Sequence, residues 1–299
     1  MVTAGLKQRW INNLWGWLFV FPTVLGILIL NVIPIFQTVW QTFFRVGDFG
    51  RGNTFIGFAN YIRLFSDSEV WQSLRNTLVY VAVEVPFSVA IGFIFAVILN
   101  RKIPGRGFFR TLFFLPMVVA PAAVAMVWSY LYNTHFGLLN YFLRNIGLSP
   151  VGWISNPDIA LYSIAAIGVW SSFGFTMVLF LAGLQGIPKD YYEAAQIDGA
   201  SFFRQQLMIT IPLISPTTYF VVVTRVLTAF QVFDLIFVVL NRQSPVLPST
   251  QSLVFLFYRA TFMENNRGYG ATIVLLLLIV VIIATAVQQY LQKRWVHYQ

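Results

Sequence analysis

The sequence predicts an all-α integral membrane protein of six spans. Three observations carry that reading. Charged residues make up only 10% of the chain, against about 25% in an ordinary soluble domain. The mean hydropathy of +0.73 is that of a membrane protein, not of a chain with a large soluble core. The apolar residues also come in runs that match a membrane, since a spanning helix needs about 20 mostly apolar residues.

The spans fall in order along the chain. No charged residue lies between Ile11 and Phe44, and a helix fits Leu14–Thr38. This run is too long for a signal-peptide core and no A-x-A-like site follows it, so it reads as a retained span. Further spans are predicted near Asn76–Asn100, Thr111–Tyr132, Ile159–Leu184, Ile209–Leu240 and Ala271–Leu291. The prolines Pro116, Pro121, Pro212 and Pro216, with the small-residue run "APAAVA", suggest bent helices and close packing. The connections Gln41–Leu74, Asn133–Asp158 and Asn241–Gly270 are too short for separate domains, so residues 1–299 read as one membrane domain. Trp71, Trp153, Tyr61 and Tyr141 in those connections are candidate interfacial anchors.

An even number of spans places both termini on one side. The short connections on that side hold ten bases, among them the cluster "RKIPGRGFFR", against eight in longer loops opposite. That bias predicts cytoplasmic termini. The net charge of +9 is spread beside apolar spans. It suits anionic lipid headgroups and membrane orientation, and nucleic acid is not an expected partner.

The inventory of catalytic chemistry is thin. Cysteine is absent, which removes disulfides and thiolates. There is no P-loop, no H-E-x-x-H, and "GVWSSFG" around Ser171 and Ser172 is not a G-x-S-x-G turn. His135 and His297 are far apart and read as loop and tail residues. No metal site and no catalytic residue is expected.

One stretch breaks the apolar pattern: "KDYYEAAQIDGASFFRQQLMITIP", Lys189–Pro212. A helix beginning at Lys189 or Asp190 has Asp190 and Glu193 in its first turn, where acids suit the helix dipole. Gly199 can stop that helix in the left-handed conformation, and Ser201 can cap a second one. Ala194 and Ala195 keep one side thin, with Tyr191, Tyr192 and Ile197 as apolar anchors beside them. From these residues alone, a helix seated in a partner's groove and a solvated link between spans stand equally.

The spacing resolves further. Glu193-Ala194-Ala195, three residues, Gly199, nine residues, then Ile209-Thr210-Ile211-Pro212 resembles the E-A-A-x3-G-x9-I-x-L-P motif of permease subunits of binding-protein-dependent ABC importers, with Ile211 in place of Leu. "GIPKDYYEAAQIDGAS" is similar to the carbohydrate branch, in the form of the first of two different permeases. "FIGFANYIRLF", "AFQVFDLIFVV" and "GYGA" at Gly268–Ala271 carry the resemblance over most of the chain. Relatives often have a Gly-rich T-G-G-G-P-like stretch where this chain has Asn241–Pro245, of which only Pro245 matches.

The resemblance implies a type I ABC importer permease fold with a cytoplasmic helix–turn–helix, residues 189–208, docked on an ATPase. Asp190, Tyr191, Glu193, Ala194, Ala195, Asp198 and Gly199 are the implied coupling residues. Implied partners are a second homologous permease, a cytoplasmic ATPase dimer and an extracytoplasmic substrate-binding protein, in a bacterial or archaeal plasma membrane. ATP and Mg²⁺ are used by the ATPase, and this chain binds no cofactor.

Three ionisable residues lie inside predicted spans: Glu84, Arg225 and Asp234. Each costs about 2.5–3.5 kcal/mol at a helix centre on insertion scales, so each is expected to face the interior or a partner. Arg225 and Asp234 stand nine residues apart, about 13.5 Å along a helix, too far to pair. Glu84, just before Pro86, reads as a packing contact between subunits or as a functional interior group. Asp234 reads as an interfacial or interhelical group. The face of Arg225 continues through Thr228, Ala229 and Val232, with Gln231 nearby. The resemblance implies that this face and a patch of the fourth span, here Ser172 and Phe175, line a sugar cavity. Trp128, Trp170 and Phe173 read either as further lining or as ordinary packing.

The reading reached from the sequence is the transmembrane subunit of an ATP-driven importer of a sugar, oligosaccharide or polyol glycoside, working by alternating access. Two alternatives stand beside it. One is an anionic polyol such as glycerol phosphate as cargo. The other is an ion-coupled secondary transporter in which Glu84, Asp234 and Arg225 form a relay.

Overall fold

The computed structural model describes residues 2–46, 53–101, 103–240 and 244–296. Where the sequence reads as one membrane domain, the chain packs as two compact units: Met1–Ser66 with Tyr258–Leu275, and Asp67–Phe257 with Leu276–Gln299.

In the first unit, α1 (Val2–Ile27) passes through a π-helical turn, Leu28–Val32, into α2 (Ile33–Gln41). Pro34 opens α2 and supplies no amide to the turn before it, which is where a wide turn is tolerated. A short antiparallel hairpin follows. Strand β1 (Phe44–Val46) pairs with β2 (Asn53–Phe55), Phe44 opposite Phe55. Then comes α3 (Ala59–Ser66). Buried Asn60 donates to the Thr42 carbonyl at 2.8 Å, and the Thr42 and Tyr61 hydroxyls are 2.7 Å apart. Arg63 lies 3.9 Å over the Tyr269 ring.

The second unit is organised on α4 (Ser68–Asn100), which is capped by Asp67 accepting from the Glu69 amide at 3.0 Å. After it come α5 (Arg106–Val118), α6 (Pro121–Leu131), α7 (Leu138–Asn145) and α8 (Ala160–Gln185). The pairing of α4 with α8 is the most extensive in the molecule. Helix α8 is apolar on every side, and its glycines let three neighbours approach closely. A Cβ on Gly168 would strike the Tyr80 hydroxyl of α4, and one on Gly174 would strike the Phe113 carbonyl of α5. Small residues at such crossings are how membrane helices gain contact.

Beyond α8 lie α9 (Asp190–Ile197), α10 (Phe202–Gln205), a π-helical turn Gln206–Thr210, α11 (Ile211–Leu213) and α12 (Ser215–Ala229). The chain continues through α13 (Asp234–Val239), α14 (Leu247–Thr250) and α15 (Leu253–Tyr258) to α16 (Arg267–Trp295). A core of Ala96, Leu99, Met177, Phe180, Leu184, Ile214 and Val221 joins α4, α8 and α12.

Trp15–Gln41, Ser68–Asn100, Ala160–Gln185 and Arg267–Trp295 are each long and apolar enough to cross a membrane, and two bent pairs bring the number to six when each pair is one span. The third predicted span is not one straight helix: α5 and α6 meet at 98°, next to Pro121. The fifth is bent by 69° at Ile214, next to Pro216. It also stops earlier than predicted. The helix ends at Ala229, Phe233 leaves helical geometry at φ −141° and ψ −58°, and Asp234 opens a separate short helix. Gln231 and Asp234 flank the break, but the surrounding apolar residues carry the helical reading through it.

Candidate functional site

Two features outside ordinary packing stand out: the polar segment after α8 and a buried polar cluster within the spans.

Helix α9 begins with Asp190 and Glu193 in its first turn, where the free amides and the dipole favour negative charge. It ends at Gly199, whose φ of +73° is left-handed. The Gly199 amide donates to the Gln196 carbonyl at 3.0 Å and the Ala200 amide to the Ala195 carbonyl at 2.8 Å. That pair of bonds closes the helix end and turns the chain sharply. Ser201 then caps α10, its hydroxyl accepting from the Arg204 amide at 3.5 Å, and Gln205 Nε2 donates to the Ala200 carbonyl at 3.0 Å. The segment is a closed helix–turn–helix.

It has an inner and an outer face. Tyr192 and Ala195 are half-buried, and the Tyr192 hydroxyl meets Thr210 Oγ1 at 2.9 Å. Arg101 lies 4.6 Å over the Phe202 ring, holding the end of α4 to α10. Asp190, Tyr191, Glu193, Ala194, Asp198 and Gly199 are exposed. Ile197 is 87% exposed, an apolar side chain presented outward and left uncovered by the described residues. Of the residues named from the sequence for coupling, only Ala195 turns partly inward.

The buried cluster takes one side chain from each of three helices. Glu84 of α4, with no exposure, accepts on one oxygen from Ser172 Oγ of α8 at 2.7 Å and from Arg225 Nη2 of α12 at 2.5 Å. Gly168 makes the space, since a Cβ there would lie 3.1 Å from Glu84 Cγ. Glu84 Oε2, Arg225 Nε and Thr176 Oγ1 have no hydrogen-bond partner among the described residues.

This arrangement changes several expectations. Glu84 Oε1 is partnered within its own chain, while Oε2 has no partner among the described residues. Arg225 is committed to Glu84, a partner 141 residues away, and Ser172 is 4% exposed beneath them. The predicted face of α12 does not stay together: Ala229 and Val232 are buried, while Thr228 and Gln231 are exposed. Phe175 is half-buried. Asp234, expected as an interior or interfacial group, is exposed at the start of α13. Trp128 and Trp170 pack edge to face at 5.5 Å, and Phe173 packs with Phe95 and Phe113. Residues 241–243 of the unusual Asn241–Pro245 stretch, and His297, lie outside the described residues. Tyr80, which the sequence did not single out, meets the same Gly168 surface as Glu84; its spacing of four from Glu84 is the signal that points to it.

Comparison with known proteins agrees with this architecture. The family of binding-protein-dependent transport system inner membrane components matches residues 88–297. The trehalose/maltose transport system permease protein MalF of Thermococcus litoralis is 37% identical over 237 residues, 79% of this chain and 80% of that one. The sn-glycerol-3-phosphate transport system permease protein UgpA of Agrobacterium fabrum is 32% identical, covering 96% and 97%. Among solved structures, a chain of a bacterial ABC transporter involved in the import of the acidic polysaccharide alginate superposes with a TM-score of 0.82 at 22% identity over 98% of both chains. With a family match over most of its length and this fold, the chain belongs to the inner-membrane components of binding-protein-dependent transport systems, as a transport subunit and not an enzyme.

Proposed function

We propose that this chain is one of two transmembrane subunits of an ATP-driven importer of a neutral sugar, oligosaccharide or polyol glycoside. The observation that carries the reading is the outward face of α9. It is an eight-residue helix, closed at Gly199 and tied inward through Tyr192. Such a helix fits a partner's groove, with Tyr191 and Ile197 as apolar anchors and Asp190 and Glu193 as polar guides. The partner is the cytoplasmic ATPase dimer, which places both termini in the cytoplasm and the start of α4 and α8 outside.

The remaining partners follow from that assignment: a second homologous permease, which completes the path, and an extracytoplasmic binding protein, which delivers cargo. ATP and Mg²⁺ act on the ATPase. Closure of its dimer moves α9, and the spans pass from inward-open to outward-open. Nucleotide shifts this equilibrium only by its differential affinity for the two states.

The buried cluster bears on the cargo. A lone Arg225 would suit an anionic polyol such as the substrate named for the glycerol-phosphate relatives. The charge of Arg225 is matched by Glu84, so the cluster offers an anion no net attraction and favours neutral carbohydrate. Asp234 stands exposed on another helix, which removes a member from the relay that an ion-coupled mechanism needs.

Glu193→Lys reverses charge on the exposed face without touching the core. It is expected to abolish co-purification of the ATPase while the chain still inserts. Normal co-purification and transport by that variant would reject the docking assignment. Binding of a sugar panel to the partner binding protein identifies the cargo.

A further inference from the structure

A second polar site lies far from the cluster. A cavity of about 670 Å³ opens between the first turns of α4 and α8, with Ser249 of α14 at its edge. Small-molecule sites run to about 300–1,000 Å³. Its position is set by the helices: α8 runs 26 residues from this end to the segment that carries α9, about 39 Å at 1.5 Å per residue. The cavity and the coupling helix therefore lie at opposite ends of the same span.

The lining has two kinds of surface. Trp71, 43% exposed, and Tyr162, 52% exposed, present large aromatic side chains. Between them stand the planar polar groups of Gln72, Arg75 and Asp158. Neither Arg75 nor Asp158 forms an ion pair among the described residues. The wall behind them is fixed. Asn76 Nδ2 donates to the Pro248 carbonyl at 2.9 Å and the Gln251 carbonyl at 3.1 Å, and Ser249 Oγ donates to the Val246 carbonyl at 2.8 Å. Tyr162 also borders a separate apolar pocket, lined by Val83, Phe87, Ala166 and Trp170.

We propose that this cavity is an entry subsite for one pyranose ring. A sugar has an apolar C–H face and a rim of hydroxyls that both donate and accept. Trp71 and Tyr162 supply platforms for the face. Arg75 donates, Asp158 accepts and Gln72 does both, which together match the rim. The two charges cancel, so an anionic lipid headgroup or a phosphorylated cargo meets Asp158 as well as Arg75. The subsite is separate from the buried cluster: Arg75 precedes Glu84 by nine residues on α4, about 13.5 Å along the axis. Cargo released at the outer mouth would be held here before the spans close over it. The subsite rests on the importer reading above.

The chain has no cysteine, so Gln72→Cys gives one labelling position on this subunit of the assembled complex. Its rate of maleimide labelling is measured without binding protein, in the presence of maltose, trehalose or glycerol 3-phosphate. Uptake of the same three compounds is measured on the wild-type complex. A transported sugar is expected to slow labelling about fivefold when present at roughly four times its dissociation constant, and glycerol 3-phosphate is expected to leave the rate unchanged. Trp71→Ala in the Gln72→Cys background removes the protection, and Trp71→Phe, which keeps a platform, restores it. Unprotected Gln72→Cys in a complex that transports one of the sugars overturns the subsite. Protection by glycerol 3-phosphate assigns the cavity to anions and overturns it too. Transport of glycerol 3-phosphate and of neither sugar overturns the carbohydrate reading on which the subsite rests.

Discussion

Removing the Arg225 guanidinium would leave the Glu84 carboxylate without its cation at a position that no solvent reaches. Breaking a buried pair from one side costs about 3–5 kcal/mol, most of it the orphaned charge. Arg225→Ala is therefore expected to lower the thermal stability of the purified complex, and Glu84→Gln in the same chain to recover most of the loss. The check is the unfolding midpoint of the single and double variants; equal midpoints for Arg225→Ala and wild type would show that the pair holds nothing. At this scale the sequence revealed half the story. The cost of each interior charge was legible from its apolar surroundings. The pairing was not, because Glu84 and Arg225 are 141 residues apart and their own helices offer no hint of it.

Among elements, the helix–turn–helix was the most legible. Its cap, acids, stop residue and second cap are all local, and Asp190, Gly199 and Ser201 take the places that their chemistry dictates. The bends beside Pro121 and Pro216 were legible for the same reason. The end of α12 was not, since the apolar residues on both sides of Phe233 outnumber Gln231 and Asp234 and read as one continuous span. Two predictions belong here. At Gly199 a Cβ would meet nothing within 4 Å, so conformation alone is at stake. Left-handed geometry costs an ordinary L-residue about 1–2 kcal/mol, less for Asn. Transport-coupled ATPase activity is expected to fall in the order Gly, Asn, Ala, Val; a Val variant equal to wild type would contradict the role of the turn. At Gly174 the obstacle is the Phe113 backbone, which cannot rotate away. Gly174→Ala is expected to destabilise the protein by about 1–3 kcal/mol, the usual cost of overpacking. Gly16→Ala, which meets nothing, serves as the control, and comparison of their denaturation midpoints decides.

For the molecule as a whole, composition and run length were enough to give a membrane protein and its six apolar segments. Orientation rests on the distribution of bases, and it has a direct test. In a chain with no native cysteine, Asp198→Cys and Asn145→Cys are expected to react with an impermeant maleimide from opposite sides of sealed vesicles, Asp198→Cys only from the cytoplasm. Labelling of both from one side would refute the arrangement of spans, and labelling of each from the wrong side would invert it. The outer cavity was illegible at every scale of the sequence, because its lining is drawn from positions 71 to 249 and no two adjacent turns predict the rest.

The hydrogen bond between the Tyr192 and Thr210 hydroxyls bears on the proposed coupling. Thr210 lies on the near side of the 69° bend, and Arg225 rides the far side, eleven residues beyond Ile214. The two arms meet at that bend, so in the proposed coupling a push on α9 would enter on the short arm and leave as a swing of α12. Arg225 stands eleven residues along that arm, about 16 Å of helix, where such a swing would be largest. Under the docking proposed above, the joint with Glu84 and Ser172 is where a stroke of the ATPase would reach three spans at once.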